Sequence, residues 1–238
     1  MRLAIETATD RASVAAGRTA ESAVERELAG ARRQAAELVP MIDAVLRDAG
    51  AALDDVTALV VSDGPGSFTG LRIGAAVAKA LVQARGLPLW TAPSLMVRAR
   101  GVAQPGRIVL AVANALRGEL YAAAYRFDDD GVCTLLPPSV CRPEALIDGG
   151  LRPDLLVGEA PEPAAQALAR WAGTPLAGPP VGAPHARALL GLVDLPGGAR
   201  RVEAVQGWEP VYGRPAEAQA RWETARGRPL PDSIGSPG

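Results

Sequence analysis

One glycine-rich stretch carries the strongest signal for binding chemistry in this sequence. The segment SDGPGSFTGLRIG, residues 62–74, follows the apolar run TALVVS, which predicts a buried strand, and overlaps the run 68–84, which predicts a helix. A glycine-rich loop that opens a helix can direct backbone N–H groups at a phosphate. Either Ser67 or Thr69 could cap the first helical turn. The segment therefore has the position of an anion-binding loop.

The two familiar phosphate-binding motifs are absent from this loop. A P-loop requires the pattern GxxxxGK[ST], but counting from Gly64 places Thr69 and Gly70 where glycine and lysine belong. A dinucleotide fingerprint requires a third glycine where Thr69 stands, and an acid about 20 residues later for the ribose. The chain has no Asp or Glu between Asp63 and Glu119. Both nucleotide-binding motifs are therefore excluded.

Few other residues are placed for catalysis. His185 is the single histidine, which excludes two-histidine zinc sites and makes any Ser-His-Asp triad depend on a residue at a predicted helix start. We expect His185 to be a surface or capping residue, and the acidic run 128–130 to be a solvated hairpin turn. Glu6, at the end of the first predicted strand, is the carboxylate best positioned for a site. We expect no catalytic residue and no metal ligand in the chain.

Charge and composition indicate a globular protein without an overall preference for nucleic acid. The chain has 238 residues, 48% apolar content and a formal net charge of −1. Residues 64–118 carry seven cations and no acid, which is compatible either with an anionic partner or with an ordinary solvated surface. Cys133 and Cys141 match no metal-binding spacing and indicate a reducing compartment. Since the sequence shows no signal-peptide pattern and no apolar run of membrane length, the expected location is the cytoplasm.

The elements that position these residues form two α/β halves. A hairpin (RLAIETA and ASVAAGR) opens the first half, residues 1–103, which also contains predicted helices at 33–49 and 68–84. The second half, 104–225, is smaller and richer in proline and glycine, with predicted strands RIVLAVA, GELYAAAYRFD and DLLVGE. Its last helix, HARALLGLV, could pack back on the first half. Residues 226–238 are predicted to be a disordered tail.

The helix 68–84 carries a stripe of very small residues. Glycine inside a helix costs roughly 1 kcal/mol relative to alanine, so several glycines need a compensating contact. A spacing of four residues places them on one face, where a second backbone can approach closely. That backbone could belong to the same domain or to a partner protein, and we expect a partner. The stripe consists of Gly66, Gly70, Gly74 and Ala78.

The glycine loop and four shorter motifs together resemble the TsaB (YeaZ) family. GPGSFTGLRIG at 64–74 resembles the family signature, and LAIETAT, LVPMI, LRGELY and EPVYGR occur in the family's order and spacing. The resemblance covers most of the chain. It implies an actin-like (ASKHA) fold of two RNase H-like domains, the second smaller than the first. It also implies a non-catalytic partner of the TsaD transferase in the synthesis of N6-threonylcarbamoyladenosine in tRNA.

The same resemblance implies a set of partners. The chain would form a heterodimer with TsaD, join the ATPase TsaE through that complex, and form a homodimer in isolation. ATP and metal would be held by the partner subunits, contact with tRNA would be indirect or weak, and no membrane would be involved. Three departures from the family pattern argue against independent nucleotide or metal chemistry. Glu6 and Asn114 replace aspartates, and Gln34 replaces a histidine.

Site residues follow from the resemblance and from the small-residue stripe. The predicted partner interface comprises Met41, Val45, Ser67, Phe68, Gly70, Leu71, Arg72, Gly74 and Ala78. The predicted vestigial phosphate site comprises Glu6, Thr7, Gly64, Gly66 and Ser67. Two alternative functions stay open: an autonomous actin-like ATPase or kinase, which needs a metal-binding carboxylate, and a peptidase, which needs a base near Ser67.

Overall fold

The computed structural model describes residues 1–30 and 33–213 of the chain. The tail predicted at 226–238 lies outside the described residues. The strands, in chain order, are β1 (Arg2–Glu6), β2 (Arg11–Gly17), β3 (Val24–Ala29), β4 (Ala58–Ser62), β5 (Leu89–Ala92), β6 (Ile108–Asn114), β7 (Leu120–Asp128), β8 (Gly131–Cys141), β9 (Leu155–Gly158), β10 (Leu176–Ala177) and β11 (Arg200–Arg201). The helices are α1 (Gln34–Asp48), α2 (Phe68–Arg85), α3 (Ser94–Arg100), α4 (Pro143–Asp148), α5 (Glu162–Ala172) and α6 (Ala186–Val193).

The strands form two sheets that repeat one topology. The first sheet has the order β11-β5-β4-β1-β2-β3 and the second has the order β10-β9-β6-β7-β8. In each sheet three antiparallel strands, β1–β3 or β6–β8, are extended by two parallel strands, β4–β5 or β9–β10. Among the described strands, β11 alone has no counterpart. The two predicted α/β halves are thus two copies of the same unit.

Helices α1 and α2 cover one face of the first sheet. Both helices begin and end within one residue of the predicted bounds, because their apolar residues recur at helical spacing. Leu38 and Val45 of α1, and Ala78 of α2, are fully buried in one cluster with the side chains of β1, β2 and β4. Pro40 lies inside α1 and does not end it.

Helices α3 and α6 fill the space between the two sheets. Leu95 of α3 and Leu189 of α6 share a buried cluster with Val60 from the first sheet and Val109 and Tyr125 from the second. Helix α6 contacts β1, β2 and β4, so this late segment packs on the first half of the chain, as does β11 beside β5. No helix within residues 1–30 and 33–213 combines the length and hydropathy needed to cross a membrane.

The second half contains more regular structure than its composition predicts. Strand β8 and helices α4 and α5 lie in the half that is richer in proline and glycine, and they are not among the elements predicted there. Strand β8 is at the edge of its sheet, where a proline costs no ladder hydrogen bond on its open side. The two short helices carry proline in their first turn, where the missing N–H has no helical partner to lose.

Candidate functional site

The glycine loop joins β4 to α2 and is held by backbone hydrogen bonds on both sides. Ser67 N–H donates to the Ala8 carbonyl at 2.7 Å, and Ser94 N–H donates to the Gly64 carbonyl at 2.8 Å. The Ser67 hydroxyl accepts from the Gly70 N–H at 3.2 Å and caps α2, as one of the two predicted candidates. Gly64 has φ +101°, a conformation that favours glycine. The loop is rigidly placed beside the turn that follows β1.

The small-residue stripe packs against the protein's own β1–β2 turn. A Cβ atom at Gly66 would lie 2.2 Å from the Ala8 carbonyl oxygen, one at Gly70 would lie 2.0 Å from the Thr7 carbonyl oxygen, and one at Gly74 would lie 2.3 Å from Thr7 Oγ1. The backbone that approaches the stripe therefore belongs to the same domain. The expectation that a partner protein fills this face is corrected for these residues.

Other members of the predicted interface are also internal. Met41 and Val45 are 8% and 0% exposed, and Leu71 and Ala78 are 1% and 0% exposed, so none of them has a surface to present. The resemblance and the small-residue stripe predicted these residues at the interface, but apolar residues at helical spacing mark the face of a helix that packs inside its own domain. On α1 the exposed apolar residue is Val39, at 59%. The sequence signal for the exposure of Val39 is its position on the face of α1 opposite the buried apolar residues.

Three residues of the predicted interface do have accessible surface. Ser67 and Phe68 are partly exposed and Arg72 is exposed, all in the first part of α2. The Arg72 guanidinium lies 4.2 Å from the centre of the Phe68 ring and 5.8 Å from that of Tyr212. The two rings are 4.7 Å apart. This aromatic stack orients a positive charge toward solvent.

A segment from the end of the described chain covers the glycine loop. We name residues 208–213 the strap. Val211 N–H donates to the Asp63 carbonyl at 2.6 Å. The Val211 carbonyl oxygen lies 2.1 Å from the position of a Cβ atom at Gly64, so it rests directly on that glycine. The EPVYGR motif, at 209–214, contains no local pattern that indicates this contact.

Glu6 and Thr7, both predicted members of a vestigial phosphate site, are buried beneath the loop. One Glu6 carboxylate oxygen accepts the Ala8 N–H at 2.6 Å, and the other has no hydrogen-bond partner among the described residues. Burial raises the pKa of Glu6 to about 7, although the Ala8 N–H and the Arg98 charge favour its ionised form. Thr7 is 2% exposed. These side chains are part of the core and are closed to solvent.

Arg98 links the two halves and was missed in the sequence. Its side chain is 2% exposed, and its guanidinium donates to the Gly182 carbonyl and to Glu159, at 3.4 Å for the carboxylate. Burial lowers the pKa of Arg98, while Glu159 and Glu6 raise it. Arg98 is one of the seven cations in residues 64–118, and no sequence feature distinguishes it from the surface arginines of that segment.

His185 occupies the N-cap position of α6, but its ring bonds elsewhere. Nδ1 lies 3.0 Å from a Glu27 carboxylate oxygen, and Nε2 lies 3.0 Å from the Pro180 carbonyl oxygen. Glu25 accepts the Arg187 N–H at 3.0 Å and so serves the start of the helix. Potential ligand atoms of Glu25, Glu27 and His185 lie within 4.8 Å of one another.

The positive charge around this cluster comes from the chain itself. Arg11 lies 3.3 Å from Glu27, and Arg187 lies 3.7 Å from Glu25. Both carboxylates are therefore paired with arginines, and Glu25 also accepts a hydrogen bond from the first turn of α6. In the part of the chain that the structure describes, the His185 ring is engaged with Glu27 and the Pro180 carbonyl, and the Ser67 hydroxyl is engaged as the cap of α2. The structure brings no nucleophile and base together at this point.

A cleft of about 500 Å³ lies in the second half, where β6 and β9 end and α5 begins. Asn114, Glu159 and Glu162 line it. The Asn114 side chain accepts the Leu116 N–H at 2.9 Å, which fixes the turn after β6. The carboxylates of Glu159 and Glu162 would repel the negative charge of a triphosphate in this cleft.

Comparison with known proteins gives a consistent assignment. The family described as "TsaD: tRNA N6-adenosine threonylcarbamoyltransferase" matches residues 27–178. The Escherichia coli protein "tRNA threonylcarbamoyladenosine biosynthesis protein TsaB" is 37% identical over 132 residues, 55% of this chain and 57% of that protein. An uncharacterised protein of Mycobacterium tuberculosis is 40% identical over 165 residues, 68% of this chain and 74% of that protein.

A solved structure extends the likeness to almost the whole chain. YeaZ from Pseudomonas aeruginosa has a TM-score of 0.70 and 26% sequence identity, covering 89% of this chain and 98% of that one. The sequence match, by contrast, spans little more than half the length of the E. coli relative. The fold is that of YeaZ, an α/β architecture of two sheets, in agreement with the two-domain α/β fold that the resemblance implied. The chain belongs to the TsaB (YeaZ) branch of the TsaD family.

Proposed function

We propose that this chain is a non-catalytic subunit in the synthesis of N6-threonylcarbamoyladenosine in tRNA, where it binds a TsaD-type transferase. The Escherichia coli and Haemophilus influenzae relatives are named as tRNA threonylcarbamoyladenosine biosynthesis proteins, which supports this pathway. The observation that carries the non-catalytic role is the strap, because it places the Val211 carbonyl oxygen on the glycine loop. A loop that is filled by its own chain is not available to a nucleotide.

The chemistry of the described residues supports the same proposal. Ser67 caps α2, His185 is engaged with Glu27, and Glu6 is buried in the core. Nucleophilic catalysis requires a nucleophile and a base within hydrogen-bond reach of each other. No such pair forms around Ser67 within the described part of the chain. ATP and metal ions therefore belong to the partner subunits, and the chain contributes a surface.

The surface that we assign to the partner is the start of α2 with the aromatic stack above it. Arg72, Phe68 and Tyr212 form the stack, and Val39 is a further exposed apolar residue, on α1. Among the described residues, no carboxylate lies within ion-pair distance of Arg72. A carboxylate of the partner completes this pair. The ATPase TsaE joins through the resulting complex, the isolated chain forms a homodimer, and tRNA contacts this subunit weakly or indirectly.

The experiment that tests the role is a reconstituted modification reaction. Transferase, TsaE, the threonylcarbamoyl donor and tRNA are combined with and without this chain, and N6-threonylcarbamoyladenosine is quantified after tRNA digestion. We expect product only when the chain is present. The Ser67→Ala variant retains full activity in this reaction, because the serine supplies no chemistry. Product formation that is independent of the chain would contradict the proposal.

An autonomous ATPase or kinase is the alternative that the sequence left open, and the carboxylates of Glu159 and Glu162 in the cleft beside Asn114 argue against it. A nucleotide titration of the isolated chain separates the two functions. Micromolar Mg-ATP binding with turnover in the absence of partners would support the enzyme. A peptidase would require cleavage of the partner that Ser67→Ala abolishes.

A further inference from the structure

The His185 ring joins the edge of the first sheet to a loop of the second half. Its Nδ1 atom lies 3.0 Å from a carboxylate oxygen of Glu27 in the edge strand β3, and its Nε2 atom lies 3.0 Å from the Pro180 carbonyl oxygen. Pro180 belongs to residues 178–182, which follow β10 and which we name the 178–182 loop. His185 makes no side-chain cap bond to α6, so both ring nitrogens are available for these two contacts.

Both atoms that face the ring are hydrogen-bond acceptors. A neutral imidazole has one N–H group and one lone pair, whereas an imidazolium has two N–H groups. The contacts with Glu27 and Pro180 are therefore satisfied together only when His185 is protonated. Histidine is the side chain that ordinarily changes its charge between about pH 5 and 8. The His185 side chain is 23% exposed, so its ring can exchange protons with solvent.

The neutral ring keeps its contact with Glu27 and loses the contact with Pro180. An ionised carboxylate is a stronger acceptor than a backbone carbonyl, so the remaining proton stays on Nδ1. The lone pair of Nε2 then faces the Pro180 carbonyl oxygen, and the two acceptors repel each other. Deprotonation of His185 thus weakens the contact with the 178–182 loop and leaves the contact with β3 in place.

The charged groups that act on the ring come from four elements. They are Glu25 and Glu27 of β3, Arg11 of β2, Arg187 of α6 and Glu6 at the end of β1. The two β3 carboxylates are each paired with an arginine, at 3.3 Å for Glu27 and 3.7 Å for Glu25. Glu6 could add a pH dependence of its own, because burial raises its pKa to about 7. A control for Glu6 is therefore part of the test.

The 178–182 loop supports two features of the second half. Its Gly182 carbonyl accepts a hydrogen bond from Arg98, which links α3 to this half. Gly178 and Pro179 form part of the wall of the cleft of about 500 Å³. The Gly182 N–H donates to the Gly178 carbonyl at 2.8 Å, which closes the loop around Pro180. A displacement of Pro180 would therefore reach both the cleft wall and the acceptor of Arg98.

We propose that His185 is a pH-sensitive latch between the two halves, whose protonated ring holds the 178–182 loop on β3 and whose neutral ring releases it. The latch is a property of the isolated chain and does not depend on the proposed function. It fixes the wall of the cleft in mildly acidic solution and frees it above neutral pH.

The test is NMR spectroscopy of the full-length chain between about pH 5.5 and about pH 8. His185 is the single histidine of the sequence, so its ring signals report its protonation without ambiguity. The Gly182 amide reports the state of the loop through its chemical shift and through its exchange protection, corrected for the intrinsic pH dependence of exchange. We expect the ring and the amide to titrate with one midpoint, and the protection to fall roughly tenfold at the alkaline end.

Two variants should remove this pH dependence in opposite ways. His185→Ala lacks the ring, so the Gly182 amide should be weakly protected at every pH. Glu27→Gln removes the carboxylate that keeps the proton on Nδ1, and the new amide can donate to Nδ1 while Nε2–H donates to Pro180. The loop should then stay protected at alkaline pH. Glu6→Gln is the matched control and should keep the dependence of the wild type.

A Gly182 amide that does not follow the titration of the ring would overturn the proposal. The same pH dependence in His185→Ala would also overturn it, as would the loss of that dependence in Glu6→Gln, because Glu6 would then be the group that titrates. Protection that falls at alkaline pH in Glu27→Gln as it does in the wild type would show that the carboxylate does not hold the proton on Nδ1, which contradicts the latch.

Discussion

The carbonyl oxygen of Thr7 lies 2.0 Å from the position that a Cβ atom at Gly70 would occupy. This contact explains why α2 carries glycine where alanine would favour the helix. The turn after β1 and the first turns of α2 approach so closely that only hydrogen fits between them. The compensation for the helix-destabilising glycines is therefore internal packing, which fixes the glycine loop above Glu6.

The first prediction concerns Gly74 and its neighbour Thr7. A methyl group at position 74 would lie 2.3 Å from Thr7 Oγ1 but 3.5 Å from Thr7 Cβ, so the clash is with the hydroxyl alone. Gly74→Ala should lower the free energy of unfolding by about 1–3 kcal/mol. Thr7→Ala removes the hydroxyl and should recover most of that loss in the double variant. Chemical denaturation of the four proteins measures the coupling.

Gly70 provides the matched contrast to this cycle. Its obstacle is the Thr7 carbonyl, which Thr7→Ala leaves in place. Gly70→Ala should therefore be at least as destabilising as Gly74→Ala, and Thr7→Ala should not rescue it. The exposed Ala76→Leu on the same helix should change stability by less than about 0.5 kcal/mol. If Thr7→Ala restored the stability of both glycine variants equally, the Thr7 hydroxyl would not be the specific obstacle at position 74.

The second prediction is a pH dependence that originates in Glu6. Its pKa is about 7 in the folded protein against 4.5 for an ordinary glutamate, so the folded state binds a proton more tightly than the unfolded state. Stability should consequently fall as pH rises from about 4.5 to 7, by up to about 3 kcal/mol. Burial also raises the pKa of Asp63, which contributes a change of the same sign.

The variant Glu6→Gln isolates this effect from that of Asp63. Glutamine keeps an oxygen for the Ala8 N–H and carries no charge at any pH. We expect the variant to be more stable than wild type above pH 7 and to differ little from it below pH 4.5. Thermal denaturation across this range gives the difference directly. Parallel curves for the two proteins would mean that Glu6 does not titrate in this window.

The sequence predicted the local elements well and the contacts between distant elements poorly. The apolar spacing of Leu38 and Val45 is sufficient for α1, and the glycines with Ser67 are sufficient for the loop and the start of α2. Whether Gly74 faces Thr7 or a partner depends on how α2 packs against the β1–β2 turn, which is distant in the sequence. The spacing of apolar residues within one helix does not determine this packing. The strap contact is equally non-local, since Val211 and Gly64 are 147 residues apart in the sequence.

A third prediction follows from the pair formed by Arg98 and Glu159. Arg98 is 2% exposed whereas the Glu159 side chain is 43% exposed. Glu159→Gln leaves the guanidinium buried with the Gly182 carbonyl as its remaining close acceptor. Because the carboxylate is partly solvated, we expect a loss of about 1–2 kcal/mol rather than the larger cost of breaking a fully buried pair. Glu162→Gln in the same cleft is the control; it loses an exposed charge in the first turn of α5 and should cost less than Glu159→Gln in denaturation.

The fourth prediction concerns the charge on the aromatic stack. Arg72→Glu loses the contact with the Phe68 ring, worth about 0.5–1 kcal/mol, and gains a similar amount from a negative charge near the start of a helix. The melting temperature should therefore change little. Assembly with the transferase should weaken by roughly tenfold or more, because a partner carboxylate then faces a like charge. Arg170→Glu, an exposed charge reversal on α5, should leave assembly unchanged.

The most direct test of the central claim is sedimentation velocity of this chain mixed with the TsaD-type transferase from the same organism at micromolar concentration. We predict a single faster-sedimenting heterodimer for the wild-type mixture, and its loss or marked weakening with Arg72→Glu while Arg170→Glu behaves as wild type. Independent sedimentation of the two wild-type proteins, with no complex at any ratio, would contradict the assignment of this chain as a subunit that binds the transferase.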